Sequence, residues 1–179
     1  MNYGQRKMAK NKKFTVKYKR KAEKKTDYKA RLKLLTSKKP RLVIRKKLKN
    51  FTIALIIYGE KGDKTLASAH SRELIKYGWT LSRGNMPSAY LTGYLCGLKC
   101  KKINVKEAIV DFGLQENIHG SNLFAAIKGA IDAGLTIPHK AETMPAEERI
   151  QGKHIEEYKK NNIIKKFEET KKEITKKWQ

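Results

Sequence analysis

Most of the chain's excess positive charge is concentrated in its first fifty residues. They hold 21 of the chain's 42 Lys and Arg residues, against two acidic residues, Glu23 and Asp27. Such a segment repels itself when free, and binding to a polyanion removes that repulsion. Aromatic residues recur among the cations, at Tyr3, Phe14, Tyr18 and Tyr28. We interpret the segment as an element that orders on RNA; the alternative is a solvated, disordered tail.

The rest of the 179-residue chain is much closer to neutral. Residues 51–150 hold 12 basic and 10 acidic residues, and residues 151–179 hold 9 and 5. About a hundred near-neutral residues are enough for one hydrophobic core. We therefore divide the chain into a basic arm with a short helix (1–39), a globular α/β body (40–144) and a helical extension (145–179).

A strong positive field fits nucleic acid better than a membrane here. No apolar run approaches the ~20 residues that span a bilayer, and no secretory or lipidation signal is visible. Cys96 and Cys100 are four residues apart, which is neither C-x-x-C nor half of a zinc set. These features predict a cytoplasmic protein with no membrane partner and two reduced, buried cysteines.

The arm changes character along its length. We expect residues 1–13 to be irregular, and residues 14–25 to be too basic to hold a helix alone because like charges repel. A short helix is predicted over 27–36, with Thr26 as its N-cap, Asp27 in its first turn, and Leu32 and Leu35 docking on the body.

The body alternates between strand and helix patterns. Short β-branched runs predict an antiparallel meander of strands over 41–46, 51–58 and 65–71, with a turn over 59–64 and the basic loop KKLKN at 46–50. After these strands the sequence predicts a helical turn over 71–77, helices over 87–101 and 123–133, and a strand over 107–113 between the two helices. A short fifth strand is predicted over 135–137. The last predicted helix covers 145–177, with a break near Gly152 or near residues 161–162.

This order predicts a three-layer mixed sheet of ribonuclease-H-like β-β-β-α-β-α-β type. Ala89, Gly93 and Gly97 recur every four residues in the first long helix, and we expect them to let it lie close on the sheet. The same layout makes a metal-dependent nuclease worth testing. That chemistry needs several carboxylates around two metal ions, and the first three strands contain no Asp or Glu.

Other catalytic patterns are equally weak. Asp111 begins a D-F-G triplet, but the glycine-rich loop, strand lysine and H-R-D loop of kinases are missing. We predict that Asp111 ends a strand and accepts backbone N–H bonds from the loop beyond it. The four histidines show no metal-ligand spacing. We therefore predict no enzyme activity, no cofactor, no metal and no small-molecule substrate.

Several longer stretches together resemble one family. They include KTDY at 25–28, PRLVIRK at 40–46, TLASAHS at 65–71, NMPSAYLTG at 85–93 and IPH at 137–139. Over about residues 12–158 the chain resembles the archaeal form of the 5S-rRNA-binding protein of the large ribosomal subunit, universal family eighteen. Two parts differ from the family pattern: the KKLKN loop replaces a shorter turn, adding Leu48, and the Lys-rich tail after Tyr158 has no counterpart.

The resemblance implies a structural protein that anchors 5S rRNA in the central protuberance. It also implies contact with the large rRNA and with neighbouring ribosomal proteins, including the other 5S-binding protein. The first alternative function is a free RNA chaperone or assembly factor. The second, less favoured alternative is a metal-dependent nuclease on the same fold. Because the arm is rich in Lys, we expect backbone tracking and shape recognition rather than reading of bases.

The cationic pattern and the resemblance together select the RNA-binding residues. In the family, the basic N-terminal segment and the loop after the first strand grip 5S rRNA. The predicted RNA-binding residues are Arg6, Lys7, Lys10, Lys12, Lys13, Phe14, Tyr18, Lys19, Arg20, Lys21, Lys24, Lys25, Thr26, Asp27, Tyr28, Arg31, Arg45, Lys46, Lys47, Lys49 and Asn50.

Overall fold

A four-stranded mixed sheet organises the body. The computed structural model describes residues 15–160 and 162–178. Its strands are β1 (Arg41–Lys46), β2 (Phe51–Gly59), β3 (Gly62–His70) and β4 (Ile109–Asp111), arranged in the order β3-β2-β1-β4. The first three are antiparallel neighbours, as predicted, and β4 runs parallel to β1. The expected mixed α/β class is therefore confirmed.

The hairpin between β2 and β3 is tighter than predicted. Gly59 pairs with Gly62, so the turn consists of residues 60 and 61 rather than the whole of 59–64. Gly62 has a φ of 125°, a left-handed value that side-chain-bearing residues rarely adopt. This glycine lets a two-residue turn close the hairpin, and β3 gains three residues at its start. One of them, Asp63, becomes important below.

Seven α-helices accompany the sheet in the described residues. Within them, no helix is both long and apolar enough to cross a membrane. The predicted helical turn is a 3-10 helix over Ser71–Tyr77, which ends at Gly78 in the left-handed conformation. The α-helices are α1 (Lys19–Ala22), α2 (Tyr28–Thr36), α3 (Met86–Lys102), α4 (Asn122–Asp132), α5 (Glu147–Gln151), α6 (Lys153–Lys159) and α7 (Ile163–Trp178). The predicted last helix is thus three helices, and left-handed Gly152 separates the first two.

Helix α3 forms the centre of the core. It lies against the sheet face that buries Leu42, Ile44, Phe51, Ile53 and Leu55 completely, and its own residues from Met86 to Leu98 are buried. Asn85 caps its start by accepting a hydrogen bond from the Ser88 N–H. Cys96 and Cys100 are both free and buried, as predicted. A hydrogen bond with Cys100, together with burial, raises the pKa of the Cys96 thiol.

The small residues of α3 face a helix rather than the sheet. A Cβ atom built on Gly93 would collide with the carbonyl oxygen of Ala126, and one on Gly97 would lie 2.6 Å from the Ala133 Cβ. Gly129 of α4 closes the same contact from the other side, against the carbonyl oxygen of Tyr90. The expectation that these glycines bring α3 onto the sheet was wrong. They bring α3 and α4 into backbone contact.

The predicted fifth strand shrinks to a single bridge. Thr136 pairs with Glu107 in a parallel isolated bridge, with two backbone hydrogen bonds of 2.8 and 3.1 Å around it. The order in the described residues is therefore β-β-β-α-β-α followed by this bridge. Pro138 comes two residues after Thr136 and has no N–H to donate, so it cannot extend the pairing.

Replacing Gly93 by Ala tests the helix contact. In an exposed helix this change stabilises by roughly 0.5–1 kcal/mol, because alanine has the higher helix propensity. Here we expect the opposite sign, a loss of about 1–3 kcal/mol or more in the free energy of unfolding, since the obstacle is backbone that cannot rotate away. Gly129→Ala should behave alike. Urea unfolding measures both, and a stabilised Gly93→Ala variant would contradict the contact.

Candidate nucleic-acid interface

The arm joins the body through a capped helix. One carboxylate oxygen of Asp27 accepts hydrogen bonds from the N–H groups of Lys29 (2.9 Å) and Ala30 (3.2 Å), so Asp27, not Thr26, is the N-cap of α2. The Thr26 hydroxyl instead accepts from Nε of Arg20 at 2.9 Å. The predicted helix is present, its predicted cap was wrong, and Thr26 ties the turn back to α1.

The described part of the arm exposes its charge. Tyr18 is 73% exposed, and its ring lies 5.3 Å from that of the half-buried Tyr28. Five of the predicted RNA contacts in this part are exposed cations: Lys19, Arg20, Lys21, Lys24 and Lys25. The predicted docking face was partly wrong, because Leu32 is 68% exposed while Leu34 and Leu35 are half-buried. An aromatic pair among exposed cations suits an RNA strand with unpaired bases.

Helix α2 is held by a network of arginines and carboxylates on the sheet face opposite α3. One Nη of Arg31 donates to both oxygens of Asp63, at 2.9 and 3.0 Å. Asp63 also accepts from Arg41 at 2.8 Å, and Arg41 donates to Asp111 at 2.8 Å. Asp111 in turn accepts from Arg45 at 3.0 Å. We call Arg31, Asp63, Arg41, Asp111 and Arg45 the arginine–carboxylate network.

The centre of this network is out of water. The side chains of Arg41 and Asp111 are 2% and 8% exposed. Asp111 also accepts the N–H of Gly113 at 2.8 Å, which confirms the prediction that it bonds the loop beyond its strand. Buried charges are tolerated only when they are paired and hydrogen-bonded. The network therefore joins β1, β4 and the β2–β3 hairpin, and its outer member Arg31 belongs to the arm.

Arg45 reaches across the end of β4. One Nη atom donates to the carbonyls of both Ile44 (2.9 Å) and Asp111 (2.7 Å), while the other donates to the Asp111 carboxylate, and the side chain is 39% exposed. A Cβ on Gly113 would lie 2.9 Å from the guanidinium carbon, and Gly113 has a φ of 66°. Glycine at that position thus allows both the turn and the close approach. Arg45 has an internal role, and its contact with RNA stays a prediction.

The loop after β1 is held from both sides. The Gln115 side chain accepts the N–H of Lys46 (3.2 Å) and donates to its carbonyl (2.7 Å). The Asn50 side-chain oxygen accepts from the Ser71 hydroxyl and from Nε of Arg83, each at 3.2 Å. At the loop tip Leu48 is 92% exposed. The loop is therefore fixed at its ends and presents Lys46, Lys47 and Lys49 outward.

Two further arginines lie beside this loop. Burial lowers the pKa of His70, and the positive charges of Arg72, Lys47 and Arg83 lower it further. His70 accepts the N–H of Arg72, with Glu73 completing a capping box. Counting charge by segment missed Arg72 and Arg83, because both lie in the near-neutral body. Their closeness to the loop depends on β3 returning to the edge where the loop emerges.

The predicted contact residues therefore fall into three groups. Those that lie outside the described residues are Arg6, Lys7, Lys10, Lys12, Lys13 and Phe14. The second group, from Tyr18 to Arg31, forms α1, the following turn and the start of α2. The third group, from Arg45 to Asn50, forms the end of β1 and its loop. The structure joins the second and third groups through the arginine–carboxylate network.

Comparison with known proteins identifies the kind of surface this is. A family model described as "Ribosomal large subunit proteins 60S L5, and 50S L18" matches residues 12–107 and 100–140. The chain belongs to this family. The predicted resemblance is confirmed, and with it the predicted role as a constituent of the large ribosomal subunit. The matched residues include the described arm, the loop after β1 and all four strands.

A curated relative extends the family match towards the C-terminus. The large ribosomal subunit protein uL18 of the archaeon Methanococcus maripaludis is 52% identical over 151 residues, which cover 84% of this chain and 78% of the relative. Helices α5 to α7 follow the last residue matched by the family model.

Replacing Asp111 by Asn tests the buried centre of the interface. The change leaves the Arg41 guanidinium buried with half of its ionic partners, so we expect a loss of roughly 3–5 kcal/mol in the free energy of unfolding. Glu107→Gln is the matched control, because it breaks an exposed ion pair with Lys39 at the same sheet edge. That variant should unfold like the wild type. Equal effects of the two substitutions would contradict a structural role for Asp111.

Acid titration tests the ion pairing of Asp63 with Arg31 and Arg41. Burial raises the pKa of Asp63, but hydrogen bonds from Arg41 and Arg31 outweigh it, so the pKa lies below the ordinary 3.8. The carboxylate therefore contributes stability above about pH 4 and loses it as the pH falls through the folded-state pKa. The stability difference between wild type and Asp63→Asn should be present at about pH 7 and shrink below about pH 4. A difference that stays constant would contradict this ion pairing.

Proposed function

We propose that this chain binds 5S rRNA and anchors it in the central protuberance of the large ribosomal subunit, without enzymatic activity. The observation that carries the proposal is the exposed cationic arm fixed to a family-matching body by Arg31. Further proposed partners are the large rRNA and neighbouring ribosomal proteins, including the other 5S-binding protein. The ribosome then places the protein in the cytoplasm.

The division of labour follows from the charges. We propose that residues 1–39 grip the RNA, that residues 40–144 form a ribonuclease-H-like mount, and that residues 145–179 brace it. Lysines dominate the described arm, and lysine acts on phosphate as a point charge rather than as a planar fork. Recognition then rests on backbone shape, with the Tyr18–Tyr28 pair available to stack on unpaired bases.

A metal-dependent nuclease is the weaker alternative. Its first ligand would be Asp111, but both oxygens of that carboxylate already accept hydrogen bonds from arginines. A cation would have to displace Arg41 or Arg45 and would meet their positive charge.

A free RNA chaperone is the second alternative. Sedimentation after a high-salt wash separates the two binding roles, because a subunit constituent stays with large subunits and a chaperone is released.

Salt dependence of 5S rRNA binding tests the proposed function. If some 6–10 phosphates are neutralised, affinity should fall by roughly 10³–10⁵ between about 50 and 200 mM salt, because each contact releases counterions. Deleting residues 1–25 should remove most of this slope while leaving the body folded. Filter binding at several salt concentrations measures the slope, and circular dichroism checks the fold.

The control keeps the arm and removes charge elsewhere. Lys165 and Lys172 are exposed on α7, far along the chain from the arm, and replacing both by Gln should leave the slope nearly unchanged. If the deletion left the slope intact, the arm would not be the RNA grip. If the wild type failed to bind 5S rRNA at low salt, the proposed function itself would be wrong.

A further inference from the structure

A cleft separates the arm from the body. Helix α2 and the turn before it form one wall, and the loop after β4, residues 112–117, forms the other. Arg45 and Asp111 contribute to the floor. The cleft encloses about 570 Å³, within the usual size range of small-ligand sites. We call this space the arm cleft. Its lining includes six of the predicted RNA-binding residues: Arg20, Lys25, Thr26, Asp27, Arg31 and Arg45.

The charge of the arm cleft favours an anion. Two carboxylates line the cleft, those of Asp27 and Asp111. Five cationic side chains line it as well: Arg20, Lys25, Arg31, Lys33 and Arg45. Both carboxylates are already engaged, Asp27 by the first N–H groups of α2 and Asp111 by the arginine–carboxylate network. Four of the cations are engaged as well: Arg31 and Arg45 belong to the arginine–carboxylate network, Lys25 pairs with Glu23 at 2.9 Å, and Arg20 bonds Thr26 through its Nε. Lys33 is exposed, and the positive charges of the lining still outnumber its carboxylates.

The remaining wall is apolar. Leu34, Val110, Phe112 and Leu114 all line the space. The Phe112 ring is half-buried and is held edge-on by Phe124, with ring centroids 5.6 Å apart. Leu114 is 56% exposed at the mouth of the cleft. A fixed aromatic ring beside an exposed leucine side chain offers a flat, apolar surface of the kind on which a nucleobase stacks.

We propose that the arm cleft takes one unstacked nucleotide of the RNA that the arm binds, with its base against Phe112 and its phosphate near Arg20 and Lys33. This proposal rests on the proposed function. A nucleotide of RNA and a free nucleoside monophosphate would present the same chemistry to the cleft. We assign the bound RNA as the source, because Arg20 and Lys25 belong both to the cleft and to the exposed arm. Loops and bulges of RNA supply such splayed bases, and paired bases cannot enter.

The direct test fills the cleft. Ala30 is exposed and lines the space, so Ala30→Trp places an indole where the base would lie without disturbing the core. Leu32→Trp is the matched control, because Leu32 lies on the same helix, is 68% exposed and does not line the cleft. Affinity for a 5S rRNA transcript is measured by fluorescence anisotropy for wild type and both variants, with circular dichroism as the fold check.

Two results support the proposal. Ala30→Trp weakens 5S rRNA binding roughly five- to a hundredfold, the range expected for loss of one stacked base, while Leu32→Trp binds like the wild type. Ultraviolet crosslinking of the wild-type complex, followed by peptide mapping, attaches a nucleotide to the peptide that contains Phe112. The crosslinking needs no substitution and therefore does not depend on how the variants fold.

Four results overturn it. If wild type binds 5S rRNA but the two tryptophan variants bind equally well, or if crosslinks are confined to residues 15–29, the cleft is empty and the proposed function stands. If adenosine monophosphate alone occupies the cleft and competes with no RNA, the ligand is a free nucleotide. If wild type does not bind 5S rRNA, the proposed function fails and this proposal fails with it.

Discussion

The buried pairing of Arg41 with Asp111 is the interaction on which the rest of the interface depends. It lies at the junction of two strands that are distant in sequence, and it orients Arg45 on one side and Asp63 on the other. Asp63 then receives Arg31 from the arm. The cationic arm thereby gains a fixed point of attachment. The body therefore meets the entropy cost of ordering α2.

Local patterns predicted most of the fold. Alternating β-branched runs marked the meander, the predicted helical turn over 71–77 and helix over 87–101 are both present, and the DFG aspartate was correctly placed at a strand end. What failed depended on contacts across the fold. The α3 glycines face α4, a choice that no helical period specifies, and the fifth strand lacked the backbone donors needed to extend its bridge.

The candidate site shows the same division. Charge counting found the arm and the loop after β1, because both are local runs of lysine. It could not find the arginine–carboxylate network, whose partners Arg31 and Asp63 are 32 residues apart. It also could not separate cations that serve the fold from cations left free for RNA. Arg41 counts toward the basic segment, yet it is buried and belongs to the body.

The C-terminal lysines illustrate that point further. Lys171 lies 5.1 Å from the ring centre of Tyr90, and Lys99 and Lys102 lie over Trp178. The Trp178 indole donates to the Tyr77 hydroxyl at 2.8 Å, and Phe167 and Ile174 are buried beneath α7. These contacts fasten α7 to the body around α3. The lysine-rich tail, for which the family resemblance offered no counterpart, packs against the body in its described part.

The central claim is that the arm before α2 is the RNA-contacting element and that the arginine–carboxylate network is its fixed mount. Amide hydrogen exchange at residue resolution, with and without 5S rRNA, tests it most directly. The account predicts that residues 15–27 exchange fast in the free protein and become protected in the complex, while residues 28–36 and β1 are protected in both states. Protection that appears on α7 and leaves residues 15–27 unchanged would contradict the account.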